Sequence, residues 1–383
     1  MINAMIGTML EDSFENLDRF LGSDDRVGAL EFLIEHFRAK KDIRSFFEAR
    51  LMKKRLELGL PLIQAHPSAD IPADLRGPYD QGMIAAARDT GKLALENGDI
   101  PLAWPYFRAI GEPGPIIEAI EQAQPGESVD QIINIAFAEG VHPAKGLELI
   151  LDHHGMCRAI TTFGMYAVKN GRVECILLLV RRLHAEVMER LSNAIESQAG
   201  SRPSATKIAE VIAGRNWLFG EYDYYVDTSH LMSVLAYSLE VTDRPTLELL
   251  HDLCAYGKRL SPMFQTRGQS PFENAFIDYD EYILAVMGDD VDKRLAHFRK
   301  KIAESNPEEV GFAPVELLVN LAVRLGRYEE ALQVAMEHFG EEDIADLSCP
   351  STLQLCVLAN DAERLKTLAR SRGDLLSYIA AKS

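Results

Sequence analysis

The stretch NLAVRLGRYEEALQVAMEHFG, residues 320–340, contains the pattern that decides the fold. Apolar residues recur at helical spacing on both sides of Gly326, which stands where one helix would end and the next begin. A glycine can end a helix in the left-handed conformation without a Cβ clash. Ala331, five residues later, is small enough to let the second helix approach the first closely. The stretch therefore predicts two helices packed together across a tight turn.

The same pattern recurs in other parts of the chain. Three further segments repeat a helix, a glycine or asparagine at the turn, and a second helix: GKLALENGDIPLAWPYFRAIGEPGP (91–115, turn at Gly98), VLANDAERLKTLARSRGD (357–374, turn at Asn360) and KNGRVECILLLVRRL (169–183, turn at Gly171). Asparagine also tolerates the left-handed conformation that ends a helix. Gly326 and Asn360 are 34 residues apart, which is the period of tetratricopeptide repeats.

These turns resemble those of the tetratricopeptide-repeat family over roughly residues 20–195 and 310–383. The resemblance implies an all-α fold: a right-handed superhelix of antiparallel helix pairs, with an irregular central insertion where the pattern fails. It also implies a peptide or protein partner bound in the concave face. Long period-2 alternation and hairpin dipeptides are nearly absent, which independently predicts an all-α chain.

We predict three regions in the chain. Residues 1–195 form an N-terminal helical-repeat arm, residues 207–305 a central helical region, and residues 306–383 C-terminal helical-repeat pairs. The polar stretch SNAIESQAGSRPSAT (192–206) is predicted to be a boundary or a long loop. YGKRLSPMFQTRGQSPFENAFIDYDEY (256–282) has two prolines and two glycines, and is predicted to be a linker in the central region.

Charge and hydropathy argue against several classes of partner. The chain of 383 residues has 58 acidic against 40 basic side chains, and this net charge of −18 opposes binding to a phosphate backbone. The longest apolar runs, such as residues 176–180, are far shorter than the roughly 20 residues of a membrane span. Five scattered cysteines without a CxxC pair, and an N-terminus without a secretory signal, predict a cytoplasmic protein. We therefore expect neither a nucleic-acid nor a membrane partner.

A second stretch, RNWLFGEYDYYVDTSHLMSV (215–234), concentrates polar and aromatic side chains. Asp227 or Thr228 is expected to cap the helix that follows, and Asp227 and His230 would then share a face on which both could ligate a cation. With a histidine from a distant segment they give the predicted metal set: His153, Asp227 and His230. The alternative is a capping aspartate beside a hydrogen-bonded core histidine.

Further candidates lie in LDHHGMCRAITT (151–162) and in the central region. His154 and Arg158 would share a face of one helix, as a ligand-contacting stripe or as a merely solvated one. Clustered carboxylates can bind a cation or share a proton in a cleft, but on an exposed loop they are only solvated charge. Clustered aromatic rings can form a stacking platform, although they more often form a core. The predicted ligand-binding residues are His154, Arg158, Glu221, Asp223, Tyr225 and Asp278.

Two functions are consistent with these patterns. The first is a helical-repeat protein that binds a peptide or protein partner. The second is a metal-dependent or acid–base enzyme, a hydrolase or lyase, whose site is built from residues 151–162 and 215–282. A divalent metal ion is the candidate cofactor of the second, because it would acidify a bound water. Seven of the twelve tyrosines and four of the ten histidines lie in these two segments.

Overall fold

A computed structural model describes residues 2–63, 71–123, 126, 128–265, 267–340 and 346–381. Helices account for 73% of the structure, and no residue in these ranges forms a strand, so the all-α prediction is confirmed. None of the described helices combines the length and apolar character needed to cross a membrane. The chain divides into two units: unit 1 comprises Met1–Gly155 and Met165–Arg172, and unit 2 comprises Met156–Gly164 and Val173–Ser383.

Unit 1 contains helices joined mostly by short turns: α1 (Ile2–Gly22), α2 (Arg26–Ala39), α3 (Ile43–Glu57), α4 (Arg76–Glu96), α5 (Ile100–Ile110), α6 (Gly114–Glu121), α7 (Val129–Ile133) and the first part of α8 (Pro143–Met165). A single π-helical turn, Asn134–Ala138, continues α7. Helix α4 packs against both α3 and α5. Their core includes the buried side chains of Phe46, Phe107 and Ile116. Burial of such apolar surface contributes roughly 25 cal/mol per Å², which holds the helices together.

Gly155 interrupts α8. Its backbone angles, φ 81° and ψ 179°, are not helical and are essentially restricted to glycine. The helix is therefore two segments, one ending before this glycine in unit 1 and one beginning at Met156 in unit 2. The prediction that His154 and Arg158 share a face is wrong, because it assumed one continuous helix through residues 151–162.

Unit 2 contains the second part of α8 and the remaining helices: α9 (Arg172–Ala199), α10 (Ile208–Ile212), α11 (Thr228–Ala236), α12 (Arg244–Gly257), α13 (Ala275–Met287), α14 (Val291–Glu304), α15 (Pro307–Val310), α16 (Ala313–Arg324), α17 (Tyr328–Phe339), α18 (Thr352–Leu358), α19 (Ala362–Ser371) and α20 (Leu375–Ala380). Short 3-10 turns occur at Asn216–Leu218, Tyr237–Glu240 and Pro262–Phe264. Helices α12, α13 and α14 pack in succession, as do α16 to α20.

The predicted turn residues all have left-handed backbone angles: φ is 78° at Gly98, 73° at Gly171, 71° at Gly326 and 56° at Asn360. After the turn between α16 and α17, the Arg327 N–H donates to the Ala322 carbonyl five residues back, at 2.8 Å. This bond satisfies a carbonyl that the end of α16 would otherwise leave free. Ala331 is fully buried, as the close approach of the two helices requires.

Two predicted loops are partly helical. Helix α9 continues to Ala199, well into residues 192–206, because Ile195 is buried and anchors this polar stretch. Helix α13 begins at Ala275 and occupies the end of residues 256–282. The prolines and glycines of that segment lie before Ala275. The residues after Ala275 include acidic side chains, but their apolar side chains form a buried helical face.

Candidate functional site

The loop of residues 213–227 joins α10 to α11 and contains only the 3-10 turn Asn216–Leu218. Its backbone is nevertheless held by side chains of unit 2. The Tyr225 N–H donates to the phenolic oxygen of Tyr256 at 2.7 Å, and the Tyr225 hydroxyl donates to the Leu218 carbonyl at 3.1 Å. Because Tyr256 is fully buried in α12, it fixes the end of the loop to the core.

A second set of hydrogen bonds fixes the start and middle of the loop. The Arg259 guanidinium donates to the Asn216 side-chain oxygen at 2.6 Å. The Ser261 hydroxyl donates to the Glu221 carbonyl at 2.7 Å. Both donors follow α12 directly in the chain, so the loop lies alongside the segment that leaves this helix.

Large side chains on these two segments face solvent. Their exposed fractions are 42% for Trp217, 69% for Tyr222, 55% for Tyr224 and 58% for Met263. The Tyr224 ring packs on Phe264 with 5.0 Å between ring centroids, which joins the loop to the second segment. We call Trp217, Tyr222, Tyr224 and Met263 the aromatic surface. Large exposed side chains often mark an interaction site when they lie together.

Three of the predicted ligand-binding residues belong to this loop. Glu221 and Asp223 are exposed, and the Asp223 carboxylate accepts the Gly220 N–H at 3.0 Å. Tyr225 is half-buried, and its two hydrogen bonds make it an anchor of the loop. Glu221 and Asp223 thus place two exposed carboxylates on the same loop as Trp217, Tyr222 and Tyr224.

Asp227 is the N-cap of α11, which confirms the cap prediction. Its carboxylate accepts the Ser229 N–H at 2.8 Å. Hydrogen bonds from the Ser229 side chain and then its backbone lower the pKa of Asp227, and the nearby His230 contributes in the same direction. His230 itself is half-buried in the first turn of α11.

His153 and His154 are exposed side chains of unit 1. The His154 Nε2 lies 2.8 Å from the Asp130 carboxylate. The His153 ring meets the His154 ring edge to face, with 4.9 Å between centroids. Arg158 is exposed in the second segment of α8.

No group of three or more His, Cys, Asp or Glu side chains in the described part of the chain is placed to bind a metal ion. The metal role of His153, Asp227 and His230 therefore stays a prediction without a supporting cluster. The function as a metal-dependent or acid–base enzyme likewise stays a prediction.

Asp278, the remaining predicted ligand residue, is fully buried in α13. One of its oxygens lies 2.8 Å from the His297 Nε2 on α14. The other accepts from the Lys301 ammonium on α14 at 2.6 Å and from the Asn274 N–H at 2.8 Å. Its oxygens thus hold α13 against α14.

Asp280 lies two residues after Asp278 on α13. It is paired in the same manner, but with the other neighbouring helix, α12. The His251 Nδ1 on α12 donates to it at 2.5 Å, and the Lys258 ammonium at the end of α12 forms an ion pair with its other oxygen. The hydrogen bond to Asp280 outweighs burial and raises the pKa of His251. These partners were not predicted from the sequence, although His297 and Lys301 lie four residues apart on α14.

Asp252 forms a third buried carboxylate site, which was also not predicted from the sequence. It accepts from the His184 Nε2 on α9 at 2.8 Å, and from the N–H groups of Ile208 and Ala209 at 2.5 and 2.8 Å. Burial alone would raise the pKa of Asp252, but the hydrogen bond from His184, followed by those from Ala209 and Ile208, lowers it. This carboxylate fastens α9 and α10 to α12.

Comparisons with known proteins return no match to this chain among family models, curated proteins or solved structures. The fold and the site therefore define the class of protein. It is an all-α protein with an exposed aromatic surface on an anchored loop.

Proposed function

We propose that the chain is a binding protein and that a peptide or protein partner docks on the aromatic surface. The observation that carries this proposal is the exposure of four large side chains on segments whose backbone is already held by hydrogen bonds. Aromatic and methionine side chains are enriched at protein interfaces and supply much of the binding energy. A loop that is ordered before binding loses little conformational entropy on docking.

The charges beside the aromatic surface indicate the chemistry of the partner. Glu221 and Asp223 are exposed on the same loop, and the whole chain has a net charge of −18. Charge complementarity accelerates encounter with a basic partner and disfavours an acidic one. We therefore propose a peptide segment with one large apolar side chain flanked by lysine or arginine.

The scaffold that we propose is a tetratricopeptide-like right-handed superhelix of antiparallel helix pairs, in a cytoplasmic protein. The recurring left-handed turns and the succession of packed helices from α16 to α20 support this arrangement. The sequence alone suggested binding in a concave face. Here we assign the contact more narrowly, to the aromatic surface of unit 2.

Selection of a random phage-displayed peptide library on the full-length chain tests the proposal. We expect the enriched peptides to carry an apolar residue flanked by lysine or arginine. Their affinity, measured by calorimetry, should fall at least about tenfold in the double variant Y222A/Y224A, since truncating interface hot spots costs more than about 1.4 kcal/mol.

Tyr166 provides the matched control, because it is also an exposed aromatic residue but belongs to unit 1. The variant Y166A should bind the selected peptides as the wild type does. Peptides that bind the wild type and Y222A/Y224A equally well would refute the proposed contact. Enrichment of acidic peptides would refute the proposed partner chemistry.

A further inference from the structure

A cavity of about 300 Å³ lies in unit 1 beside the π-helical turn Asn134–Ala138. One side of the cavity is formed by the end of this turn and the start of α8, and the other side by the loop of residues 166–170, which joins α8 to α9. Its volume is at the lower end of the range of small-molecule sites. π-helical turns are rare and are found frequently at functional sites. A small molecule of one or two rings would fit in this cavity.

The apolar lining of the cavity is held in place by close packing. Phe137 is 3% exposed, and a Cβ on Gly146 in the first turn of α8 would lie 2.8 Å from the Phe137 nitrogen and Cβ. Because Gly146 has no Cβ, α8 can pack directly on the backbone of Phe137. The Tyr166 ring meets the Phe137 ring edge to face, with 5.7 Å between centroids, and is 43% exposed. These two rings form an aromatic wall on which a planar group can stack.

Glu139 is the only carboxylate among the residues that line the cavity, and its charge is already balanced. Its Oε2 accepts from the Trp104 indole N–H and from the Arg108 guanidinium, both at 2.9 Å. Its Oε1 lies 3.4 Å from the side-chain nitrogen of Asn134. Arg108 thus supplies the counter-charge of Glu139, and the other two partners orient the carboxylate.

Lys169 and Asn170 supply hydrogen-bond donors to the same cavity, and both are exposed. Among the carboxylates that the structure describes, none forms an ion pair with Lys169. The Asn170 side chain likewise makes no hydrogen bond to any described residue. The ammonium and the amide N–H groups can therefore donate to a ligand. Since Arg108 balances Glu139, the lining carries one unmatched positive charge.

We infer that this cavity binds a small carboxylate with a planar apolar body. The body stacks on Tyr166 and contacts Phe137, while the carboxylate accepts from Lys169 and Asn170. One lysine matches the single charge of a carboxylate. A phosphate monoester carries a charge of about −1.5 to −2 at neutral pH, and Glu139 would repel the excess. The cavity belongs to unit 1 and the aromatic surface to unit 2, so this inference does not rest on the proposed peptide contact.

Titration of the full chain with benzoate, followed by saturation-transfer NMR, tests the inference. We expect a Kd of about 1 mM or lower. Benzamide has the same shape without the charge, so it should bind at least about fivefold more weakly. Phenyl phosphate should also bind more weakly than benzoate. Failure of benzoate to bind, equal binding of benzamide, or tighter binding of phenyl phosphate would each overturn the inference.

Variants of Lys169 test the role of its charge. K169M should raise the Kd of benzoate at least about fivefold and leave that of benzamide unchanged, whereas K169R keeps the charge and should still prefer benzoate. Lys92 provides the matched control, because it is an exposed lysine of unit 1 on α4 and does not line the cavity. K92M should bind benzoate as the wild type does. Equal weakening in K92M and K169M would overturn the inference.

The variant Y166A removes the ring that both probes contact, so it should weaken benzoate and benzamide to a similar extent. If Y166A does not fold, Y166L keeps apolar volume without a planar face and should weaken both probes as well. Unchanged affinities in the folded variant would overturn the inference. Y222A/Y224A, at the aromatic surface of unit 2, should bind both probes as the wild type does. The two pairs of measurements thus separate a failure of this site from a failure of the peptide contact.

Discussion

The buried carboxylate of Asp280 is paired with two side chains that reach solvent. Asp280 is 3% exposed, yet the side chain of His251 that donates to it is 41% exposed and Lys258 is similarly placed. The carboxylate is therefore shielded from water while its partners keep part of their hydration. This arrangement lowers the desolvation penalty that makes a fully buried ion pair unfavourable. It also couples the stability of the α12–α13 contact to the protonation of one imidazole.

That coupling predicts a pH dependence of stability. The hydrogen bond to Asp280 raises the pKa of His251 above its ordinary 6.5; Lys258 opposes this shift and Asp252 adds to it. The stabilisation that the His251–Asp280 pair contributes is therefore complete below about pH 6.5. It is lost as the pH rises through the raised pKa of His251. We expect H251Q to lose about 0.5–1 kcal/mol at about pH 6 and less at about pH 9, since the pair is partly exposed.

Denaturant unfolding of the wild type and H251Q at the two pH values measures this difference. His153→Gln, at an exposed histidine of unit 1, is the control for the loss of an imidazole outside the α12–α13 contact. If H251Q lost the same free energy at both pH values, the histidine would not be stabilising its contact through its charge.

At the scale of elements, the turns determine how neighbouring helices pack. The α16–α17 turn needs one left-handed residue, and Gly326 supplies it with a φ of 71°. Replacement by alanine should destabilise unit 2 by about 1 kcal/mol, because a Cβ is unfavourable in this conformation. No neighbouring atom lies within 4 Å of the added Cβ, so the loss would be a backbone effect and not a clash.

Gly164 is the matched control for this substitution. It also belongs to unit 2 and has open space around an added Cβ, but it is helical and lacks the left-handed angle. Alanine at this position should leave the unfolding free energy unchanged or raise it slightly, because alanine favours the helix. Equal losses in G326A and G164A would mean that the turn conformation is not the cause.

At the scale of the whole molecule, each unit has its own tryptophan. The chain contains two tryptophans, Trp104 in unit 1 and Trp217 in unit 2. The single variant W217F therefore keeps Trp104 as the fluorescent reporter of unit 1, and the single variant W104F keeps Trp217 as the reporter of unit 2. We expect G326A to lower the unfolding midpoint seen by Trp217 and to leave that seen by Trp104 unchanged, because each unit buries its own core. Equal shifts for both reporters would show a single cooperative unit instead.

The sequence by itself determined the features that depend on residues close together in the chain. Helical periodicity predicted the all-α fold, and the turns at Gly98, Gly326 and Asn360 were predicted from single residues that tolerate a left-handed angle. Asp227 was predicted as a helix cap for the same reason, since a cap bonds to N–H groups within three residues. Such interactions are local, so a one-dimensional pattern contains the information that specifies them.

Only the tertiary structure decided which polar residues are paired and which are exposed. Asp278 was grouped with Glu221 as a ligand residue, yet it is buried against His297 and Lys301, nineteen and twenty-three residues further along the chain. Periodicity shows which face of a helix is polar. Whether that face meets water or a partner depends on segments distant in the chain, which only packing brings together.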